Sequence, residues 1–225
     1  FVVEYLKERY DLHEQIIKAW VIHTISKGES AIDEIIGDME TYSNPTVGLV
    51  AYPGQTDIRV TAKASSSSEA DALMRPVVEE IHRRLGEFIY GENETTLEEA
   101  VAKMLKENHL RLAVIESGTK GEISQKIKLH ADNKTVKCEH LDTYISDETL
   151  KSLMHEFIES NKSDMVLGVR LNSDGHTLTL HQALLYKNEY WQNQRVYAGP
   201  IGDGLRWAFN TSLDSVRRKI MSTAN

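Results

Sequence analysis

The order of strand-like and helix-like segments between residues 20 and 91 restricts the possible fold more than any other feature of this chain. Ile16 to Ile25 has the composition of a strand, and Ser30 to Met39 then carries apolar residues at helical spacing. Two further strand-like runs lie on either side of a Pro-Gly turn signal at Pro53 and Gly54. The first half of this unit therefore has the order β-α-β-β.

A long helix and a short strand complete the unit. Ser66-x-x-Glu69 is the pattern of a capping box at a helix start, and Gly86 is a typical stop. A strand is expected from Glu87 to Tyr90. The resulting order, β-α-β-β-α-β, is that of a split βαβ unit. We therefore expect an α+β protein whose first domain, residues 20–91, is ferredoxin-like or KH-like, with both helices on one face of an antiparallel sheet.

The polar segment Gly91-Glu-Asn-Glu-Thr-Thr96 marks a boundary, because its last residue begins a new capping box, Thr96-x-x-Glu99. Helix and strand patterns alternate from there to the end, which predicts an α/β layered domain over residues 96–225. The expected strands are Leu110–Ile115 and the runs DMVLGVRL, HTLTLHQALLY and QNQRVYAG, and the expected helices begin near Thr96, Lys120 (ending near Leu129), Ser146 and Leu205.

Composition excludes several classes of function. The formal net charge of −8 disfavours nucleic acids and acidic membranes as partners, because both require basic surface. Cys138 is the single cysteine, so an internal disulfide is impossible and a reducing, cytoplasmic location is expected. No apolar run approaches the roughly 20 residues that span a bilayer. We expect residues 1–19 to be a remnant that links to an absent upstream domain.

Ser117 is the most interesting polar residue, because it ends a strand and precedes a glycine-containing turn. Ligands bind at that place in open α/β sheets, and a helix start attracts anions. Thr119-x-x-Glu122 predicts a third capping box, and Lys120 adds positive charge. The spacing is neither that of a P-loop nor Gly-x-Ser-x-Gly. The local pattern therefore leaves both a binding site and an ordinary strand-to-helix junction open.

Four segments resemble the CinA (competence/damage-inducible protein A) family. GESAIDEIIGD, NPTVGLVAYPGQTDIRVTAKA and MRPVVEEIHRRLGEFIYG are similar to its KH-like middle domain, and TLEEAVAKMLKENHLRLAVIES is similar to the entry into its C-terminal domain. The likeness is close to about Ser117 and sparse beyond it. It implies a C-terminal domain of the nicotinamide mononucleotide deamidase type, which hydrolyses the nicotinamide amide, and a homodimer formed through that domain.

The family motif Ala-Glu-Ser-Cys-Thr-Gly-Gly falls on residues 115–121. The resemblance assigns the amide chemistry to Ser117, and it keeps Gly121, whereas Lys120 replaces the first glycine of the pair. Of the motif Tyr-Ser-Asn-x-x-Lys only Asn133 agrees, and Lys137 is one residue late. Where the family has a tyrosine and a lysine in this motif, this chain has Ala131 and Val136. Where later motifs have a threonine and an arginine, it has Leu167 and Gly204.

These losses favour a degenerate deamidase, because a serine hydroxyl is a weak nucleophile without a base. We expect a non-catalytic module for dimerisation or for vestigial binding of a pyridine nucleotide. The alternative is an active amidase in which Ser117 uses a lysine recruited from Lys120, Lys134 or Lys137. The candidate catalytic residues are Ser117 and Lys137, and the candidate ligand-binding residues are Glu116, Thr119, Lys120, Gly121 and Asn133. No cofactor is expected.

Three weaker patterns have ordinary structural interpretations. Cys138, Glu139 and His140, with His130 and Asp132, lack the paired spacing of a metal site, so no metal is expected. The KH-like unit has Gly37-Asp-Met-Glu40 where an RNA-clamping loop has Gly-x-x-Gly, so we expect no nucleic-acid partner. An aromatic cluster near a hairpin tip is expected at a core edge or a subunit contact; its members are Tyr186, Tyr190, Trp191 and Tyr197.

Overall fold

The computed structural model describes residues 2–10, 15–143, 145–161 and 163–223 of the 225-residue chain. The chain forms two compact units, Phe1–Glu94 and Thr95–Asn225. Within the described residues, no helix combines the length and the apolar character that a membrane span needs.

The first unit is a four-stranded antiparallel sheet with its two main helices on one face. Its elements are α1 (Val2–Tyr10), β1 (Ile16–Ile25), α2 (Glu29–Ile36), β2 (Thr46–Tyr52), β3 (Gln55–Ala64), α3 (Ser67–Leu85) and β4 (Ile89–Glu92). The strand order is β2-β3-β1-β4. This topology confirms the expected split βαβ domain within an α+β fold, and the fourth strand begins two residues later than its sequence pattern predicts.

One hydrophobic core joins α2 and α3 to the sheet. Fully buried isoleucines from α2, from α3 and from the inner face of the sheet meet in it, including Ile36, Ile81, Ile22 and Ile58. The burial of such side chains is the main driving force for folding, at roughly 2 kcal/mol for each. The helix face predicted from apolar spacing is therefore the face that the sheet covers.

The two capping boxes predicted in this part of the chain differ in detail. At α3 the Ser66 hydroxyl accepts from the Glu69 N–H, as expected, but the Glu69 carboxylate accepts from the backbone and hydroxyl of Ser65 instead of from Ser66. The box at Thr96 and Glu99 is complete, with both reciprocal bonds present. It begins the first helix of the second unit, as predicted.

The second unit contains a five-stranded mixed sheet. Its elements are α4 (Leu97–Glu107), β5 (Leu112–Ser117), α5 (Glu122–Ile127), β6 (Val136–Leu141), α6 (Asp147–Asn161), β7 (Met165–Ser173), β8 (Leu178–Tyr186), β9 (Glu189–Tyr197) and α7 (Gly204–Thr223). The strand order is β6-β5-β7-β8-β9. Strand β5 is parallel to both of its neighbours, whereas β7, β8 and β9 form an antiparallel meander.

Helix α6 covers one face of this sheet. Leu150 and Met154 of α6 pack against Ile115, Val166 and Leu185 in a buried cluster. Gly168 of β7 permits this contact, because a Cβ there would lie 2.6 Å from the Met154 sulfur. The helices α5 and α7 contact other parts of the unit, including β5, β7 and β8.

The structure of this unit differs from the sequence predictions in strand β6, in the length of α5 and in the aromatic cluster. Strand β6 was not predicted, since its sequence Val-Lys-Cys-Glu-His-Leu is highly polar; it can be a strand because it forms the edge of the sheet. Helix α5 spans 122–127 and is shorter than predicted. Tyr197 lies at the opposite end of β9 from the hairpin tip and stacks on Trp207 of α7 with ring centroids 5.0 Å apart.

Candidate functional site

The last residue of β5 is Ser117, and the structure places it where α/β proteins commonly bind ligands, at the carboxyl end of a strand with parallel neighbours. All six residues of β5 are buried. The strand is interior because β6 and β7 flank it, and its apolar sequence suits that position.

The Ser117 side chain is almost completely buried and already has a hydrogen-bond partner. It is 4% exposed, and its hydroxyl donates to the backbone carbonyl of Thr143 at 2.8 Å. Thr143 belongs to the segment that follows β6. A carbonyl oxygen accepts a hydrogen bond but is far too weak a base to remove the proton of a serine. The contact therefore holds the hydroxyl without activating it.

The strand register places a row of polar residues beside Ser117. Ser117 is paired with Arg170 on β7, Arg170 with His181 on β8, and His181 with Gln194 on β9. Residues that are paired in this way point to the same face of the sheet. Since neighbouring strands are about 4.8 Å apart, the backbone of His181 lies roughly 10 Å from that of Ser117. His181 is thus too distant to be its base.

Arg170 occupies the position next to Ser117 and is only 2% exposed. Its guanidinium donates to the Ile145 carbonyl at 2.5 Å and to the Asp147 carboxylate. Both acceptors lie at the start of α6, so the buried arginine fixes that end of the helix over the sheet. A guanidinium stays protonated in proteins and cannot act as a general base. Arg170 was not among the predicted site residues, although a lone arginine inside an apolar strand indicates burial with a partner.

Glu116 and Thr119 form a closed network below the turn. Glu116 is fully buried, and its carboxylate accepts from the Thr119 hydroxyl at 2.5 Å and from two backbone N–H groups of α5, those of Ile123 at 3.2 Å and Ser124 at 2.8 Å. These are the N–H groups that an incoming anion would use. The carboxylate of the chain itself therefore fills the start of α5.

This network corrects the predicted capping box of Thr119 and Glu122. The residue that precedes α5 is Gly121, and it provides no side-chain cap. The Thr119 hydroxyl donates to Glu116, and the carboxylate of Glu122 instead pairs with Lys126 at 2.9 Å. The prediction failed because a buried acid from the preceding strand reaches the helix start first.

The turn after Ser117 adopts left-handed backbone angles at three positions. Gly118, Lys120 and Gly121 have φ values of 76°, 56° and 74°. A Cβ at residue 118 would lie 2.0 Å from the Leu171 carbonyl oxygen, so only glycine fits there. Lys120, which stands where the resemblance places a glycine, adopts its conformation at a cost of about 1 kcal/mol. Its side chain is exposed.

The remaining candidate residues are not gathered around Ser117. Lys137 is paired with Ala113, four residues before Ser117 on parallel strands, which is a separation of about 13 Å along the sheet. Asn133 and Lys134 lie in the turn before β6, at the amino-terminal ends of the parallel strands, whereas Ser117 lies at the carboxyl end of β5. The structure thus brings only Glu116, Ser117 and the turn 118–121 together.

Leu167 and Gly204, which stand where the family has a threonine and an arginine, also lie away from the Ser117 hydroxyl. Leu167 is fully buried and is paired with Val114, so its side chain is on the opposite face of the sheet from Ser117. Gly204 begins α7, and a Cβ at that position would meet the Leu178 side chain at 1.7 Å. An arginine could not be placed there without movement of Leu178.

The residues considered for a metal site are separated as well. His140 lies 3.1 Å from Asp142, whereas His130 lies 3.4 Å from Glu99 of α4. Burial raises the pKa of the Cys138 thiol, which makes the thiolate less available as a ligand. Across the described ranges, no group of three or more His, Cys, Asp or Glu side chains could hold a metal ion.

Comparisons with known proteins give consistent results. Residues 20–91 match the family described as "Damage-inducible protein CinA KH domain". The chain is 40% identical over 128 residues to a CinA-like protein of Dictyoglomus thermophilum, which is 56% of this chain and 30% of that protein. It is 33% identical over 153 residues to a putative competence-damage inducible protein of Clostridium novyi, which is 68% of this chain and 36% of that protein.

The chain thus spans about a third of the length of these curated relatives. Among solved structures, it is similar to a competence or damage-inducible protein from Enterobacter asburiae, with 17% sequence identity and a TM-score of 0.43. That alignment covers 56% of this chain and 99% of the other.

Proposed function

Because this chain belongs to the CinA-like family of competence/damage-inducible proteins, and its residues 20–91 are a CinA KH domain, we propose that its second unit is a non-catalytic relative of nicotinamide mononucleotide deamidases. In this proposal the unit retains the scaffold of the amidase site and a serine at its centre. Its role is assembly of the protein or binding of a pyridine nucleotide without turnover.

The observation that carries the proposal is the hydrogen bond from the Ser117 hydroxyl to the Thr143 carbonyl. A catalytic serine must transfer its proton to a base within about 3 Å as it attacks the substrate. Here the proton points to a neutral acceptor. The substrate would also need access to a hydroxyl that is 4% exposed.

The neighbouring side chains support the same conclusion. Arg170, next to Ser117 in the sheet, is a permanent cation bound to Ile145 and Asp147. Lys137 is about 13 Å away along the strands. The carboxylate of Glu116 could accept a proton in principle, but three hydrogen bonds already hold it on the opposite face of the sheet. General base catalysis typically contributes about 10²–10⁴-fold in rate, so a serine without a base should retain at most a small residual activity.

The first unit, in this proposal, is a structural KH-like domain that binds no RNA. The segment in the place of the clamping loop, Gly37–Thr41, forms a 3-10 helix with two acidic side chains. One of them, Asp38, accepts two hydrogen bonds from the Arg84 guanidinium, which lowers the pKa of its carboxyl and keeps it charged. Asp38 and Glu40 thus place acidic side chains where a KH domain that clamps RNA approaches the phosphate backbone, which disfavours that contact.

The direct test is an assay of ammonia release from nicotinamide mononucleotide, with the purified chain and its Ser117→Ala variant side by side. A matched control, Ser215→Ala on α7, changes another partly buried serine whose hydroxyl donates to a backbone carbonyl. We expect all three proteins to give the rate of the buffer. Release by the wild type and by the control, but not by Ser117→Ala, would instead establish the alternative function, an active amidase.

A further inference from the structure

His23 of β1 points away from the helices of the first unit, and both of its ring nitrogens face an oxygen. Nδ1 lies 2.8 Å from the Asp57 carboxylate of β3, and Nε2 lies 2.7 Å from the backbone carbonyl of Asn93, directly after β4. A carboxylate and a carbonyl both accept hydrogen bonds and carry no hydrogen to donate. An imidazole has hydrogens on both nitrogens only as the cation. The geometry therefore requires a protonated histidine.

The surroundings of His23 also favour the cation. Asp57 is its partner in the sheet, and Glu94 adds negative charge from the segment after β4. The Tyr90 ring of β4 stacks on the imidazole with ring centroids 5.5 Å apart. Arg59 lies on the same face, two residues from Asp57, but its side chain is exposed and water screens its charge. Burial lowers the pKa of His23, but these hydrogen bonds and negative charges outweigh it, and the pKa is raised above 6.5.

The carbonyl that His23 holds belongs to the residue at which the chain leaves β4. Asn93 has a left-handed φ of 52° and is bound to β1 at three points. Its N–H donates to the Val21 carbonyl at 2.8 Å, its side-chain oxygen accepts from the Val21 N–H at 3.1 Å, and its carbonyl accepts from His23. The chain then continues through Glu94 to Thr95, where the second unit begins. We call residues 93–95 the exit segment.

Loss of one proton from His23 would place two acceptors against each other. The remaining hydrogen stays on Nδ1, because a hydrogen bond to a carboxylate is stronger than one to a neutral carbonyl. Nε2 then presents a lone pair to the Asn93 carbonyl oxygen, with no hydrogen between the two atoms. The carbonyl is repelled and turns away from the ring. The planar peptide group that joins Asn93 to Glu94 turns with it.

We propose that His23 is a pH-sensitive switch for the exit segment: its protonated ring holds the Asn93 carbonyl against β1, and its deprotonation releases that carbonyl. The pH would thereby set how freely residues 93–95 move at the point where the first unit ends. Histidine suits this role, because its charge changes in the pH range of living cells. The proposal concerns residues of the first unit alone and does not depend on whether Ser117 is catalytic.

A second histidine at the same strand provides the matched control. His82 of α3 lies with Nε2 2.6 Å from the Glu92 carboxylate, which also accepts from the Trp20 indole at 2.6 Å. A single N–H is enough for the contact between His82 and Glu92, so it persists when His82 is neutral. Glutamine at position 82 keeps an N–H donor for the same carboxylate. His82 therefore lies near the end of β4 without the property that the switch requires.

The experiment is a pH titration of the ¹³C,¹⁵N-labelled chain from pH 5.5 to 9, followed by ¹³C-detected NMR, which does not depend on amide protons that exchange rapidly in alkali. We expect the His23 Nε2 resonance to show loss of its proton with a midpoint above 6.5. The Asn93 carbonyl resonance should change with the same midpoint. Asp57→Asn should lower both midpoints by about one pH unit, because it removes the charge that stabilises the cation.

Two further variants identify the group that titrates. His23→Gln should abolish the transition of the Asn93 carbonyl, whereas His82→Gln should retain it at the wild-type midpoint. Asp57→Asn keeps the ring and an oxygen acceptor, so it tests the switch even where His23→Gln disturbs the fold. The proposal is overturned if the Asn93 carbonyl shows no transition in the wild type, if the transition survives in His23→Gln, or if His23 loses its proton from Nδ1.

Discussion

Glu116→Ala is the substitution that examines most closely how the turn after β5 is built. The Glu116 carboxylate is fully buried and accepts three hydrogen bonds, from the Thr119 hydroxyl and from the backbone of Ile123 and Ser124. Alanine would leave three buried donors without an acceptor, and each costs about 1–3 kcal/mol. Part of this loss is offset, because the carboxylate no longer has to be kept out of water.

The expected net loss is about 3–5 kcal/mol in the free energy of unfolding of the second unit, which is a large share of the 5–15 kcal/mol typical of a domain. The control is Glu122→Ala. Its carboxylate is partly exposed and pairs with Lys126 on the same helix, an interaction worth roughly 0.5 kcal/mol. A large effect of Glu116→Ala with a small effect of Glu122→Ala is expected for the observed hydrogen-bond network. The opposite order is expected for the capping box of Thr119 and Glu122 that the sequence suggests.

Urea unfolding followed by tryptophan fluorescence measures both values. The three tryptophans are Trp20 in the first unit and Trp191 and Trp207 in the second. In a Trp20→Phe background the fluorescence therefore reports the second unit alone. The reasoning is refuted if Glu116→Ala costs less than about 1 kcal/mol, or if Glu122→Ala costs as much as Glu116→Ala.

Three further predictions concern the turn, the first unit and assembly. Gly118→Ala should destabilise the second unit by at least about 3 kcal/mol, because residue 118 has a left-handed backbone and the new Cβ would lie 2.0 Å from the Leu171 carbonyl oxygen. Lys120→Gly should stabilise the unit by up to about 1 kcal/mol, because glycine adopts the left-handed conformation without strain. The same unfolding assay measures both values. Burial lowers the pKa of His23, but its hydrogen bonds to Asp57 and to the Asn93 carbonyl outweigh that effect and the pKa is raised. The stabilisation by protonated His23 is therefore complete below the pKa of histidine in the unfolded chain, near 6.5, and is lost as the pH rises through the higher pKa of the folded chain. His23→Gln should thus destabilise the first unit more at pH 6 than at pH 9 in chemical unfolding. An equal effect at both pH values would contradict this. Finally, we expect a homodimer through the second unit, so light scattering at micromolar concentration should give about twice the 25.5 kDa of the monomer, and a monomer mass would contradict it.

The fold was largely predictable because local patterns and burial agree along most of the chain. The apolar side chains of the helix predicted over Ser30–Met39 include Ile32, Ile36 and Met39, and all three are fully buried. Thr96 and Glu99 form the predicted capping box. Strand β6 escaped prediction because an edge strand tolerates charged residues that an interior strand excludes. Its identity depends on its pairing with β5, which is a long-range property.

The candidate site was less predictable, because it depends on strand order. The sequence indicates that Ser117 lies at a strand end, and it does. It contains no sign that Arg170 and His181, which are 53 and 64 residues later, lie in the same row of the sheet. The role of Glu116 was also hidden, since an acid inside a strand becomes a helix cap only once the turn has brought α5 back over it.

The central claim, that Ser117 is a structural hydroxyl without activation, is tested most directly by its reactivity. A fluorophosphonate probe forms a covalent adduct with an activated serine and releases fluoride, and intact-mass and peptide analysis locate the adduct. We predict no adduct on Ser117 in the folded chain, because its proton is held by the Thr143 carbonyl and the side chain is 4% exposed. A stoichiometric adduct on Ser117 that is absent from the Ser117→Ala variant would contradict the claim.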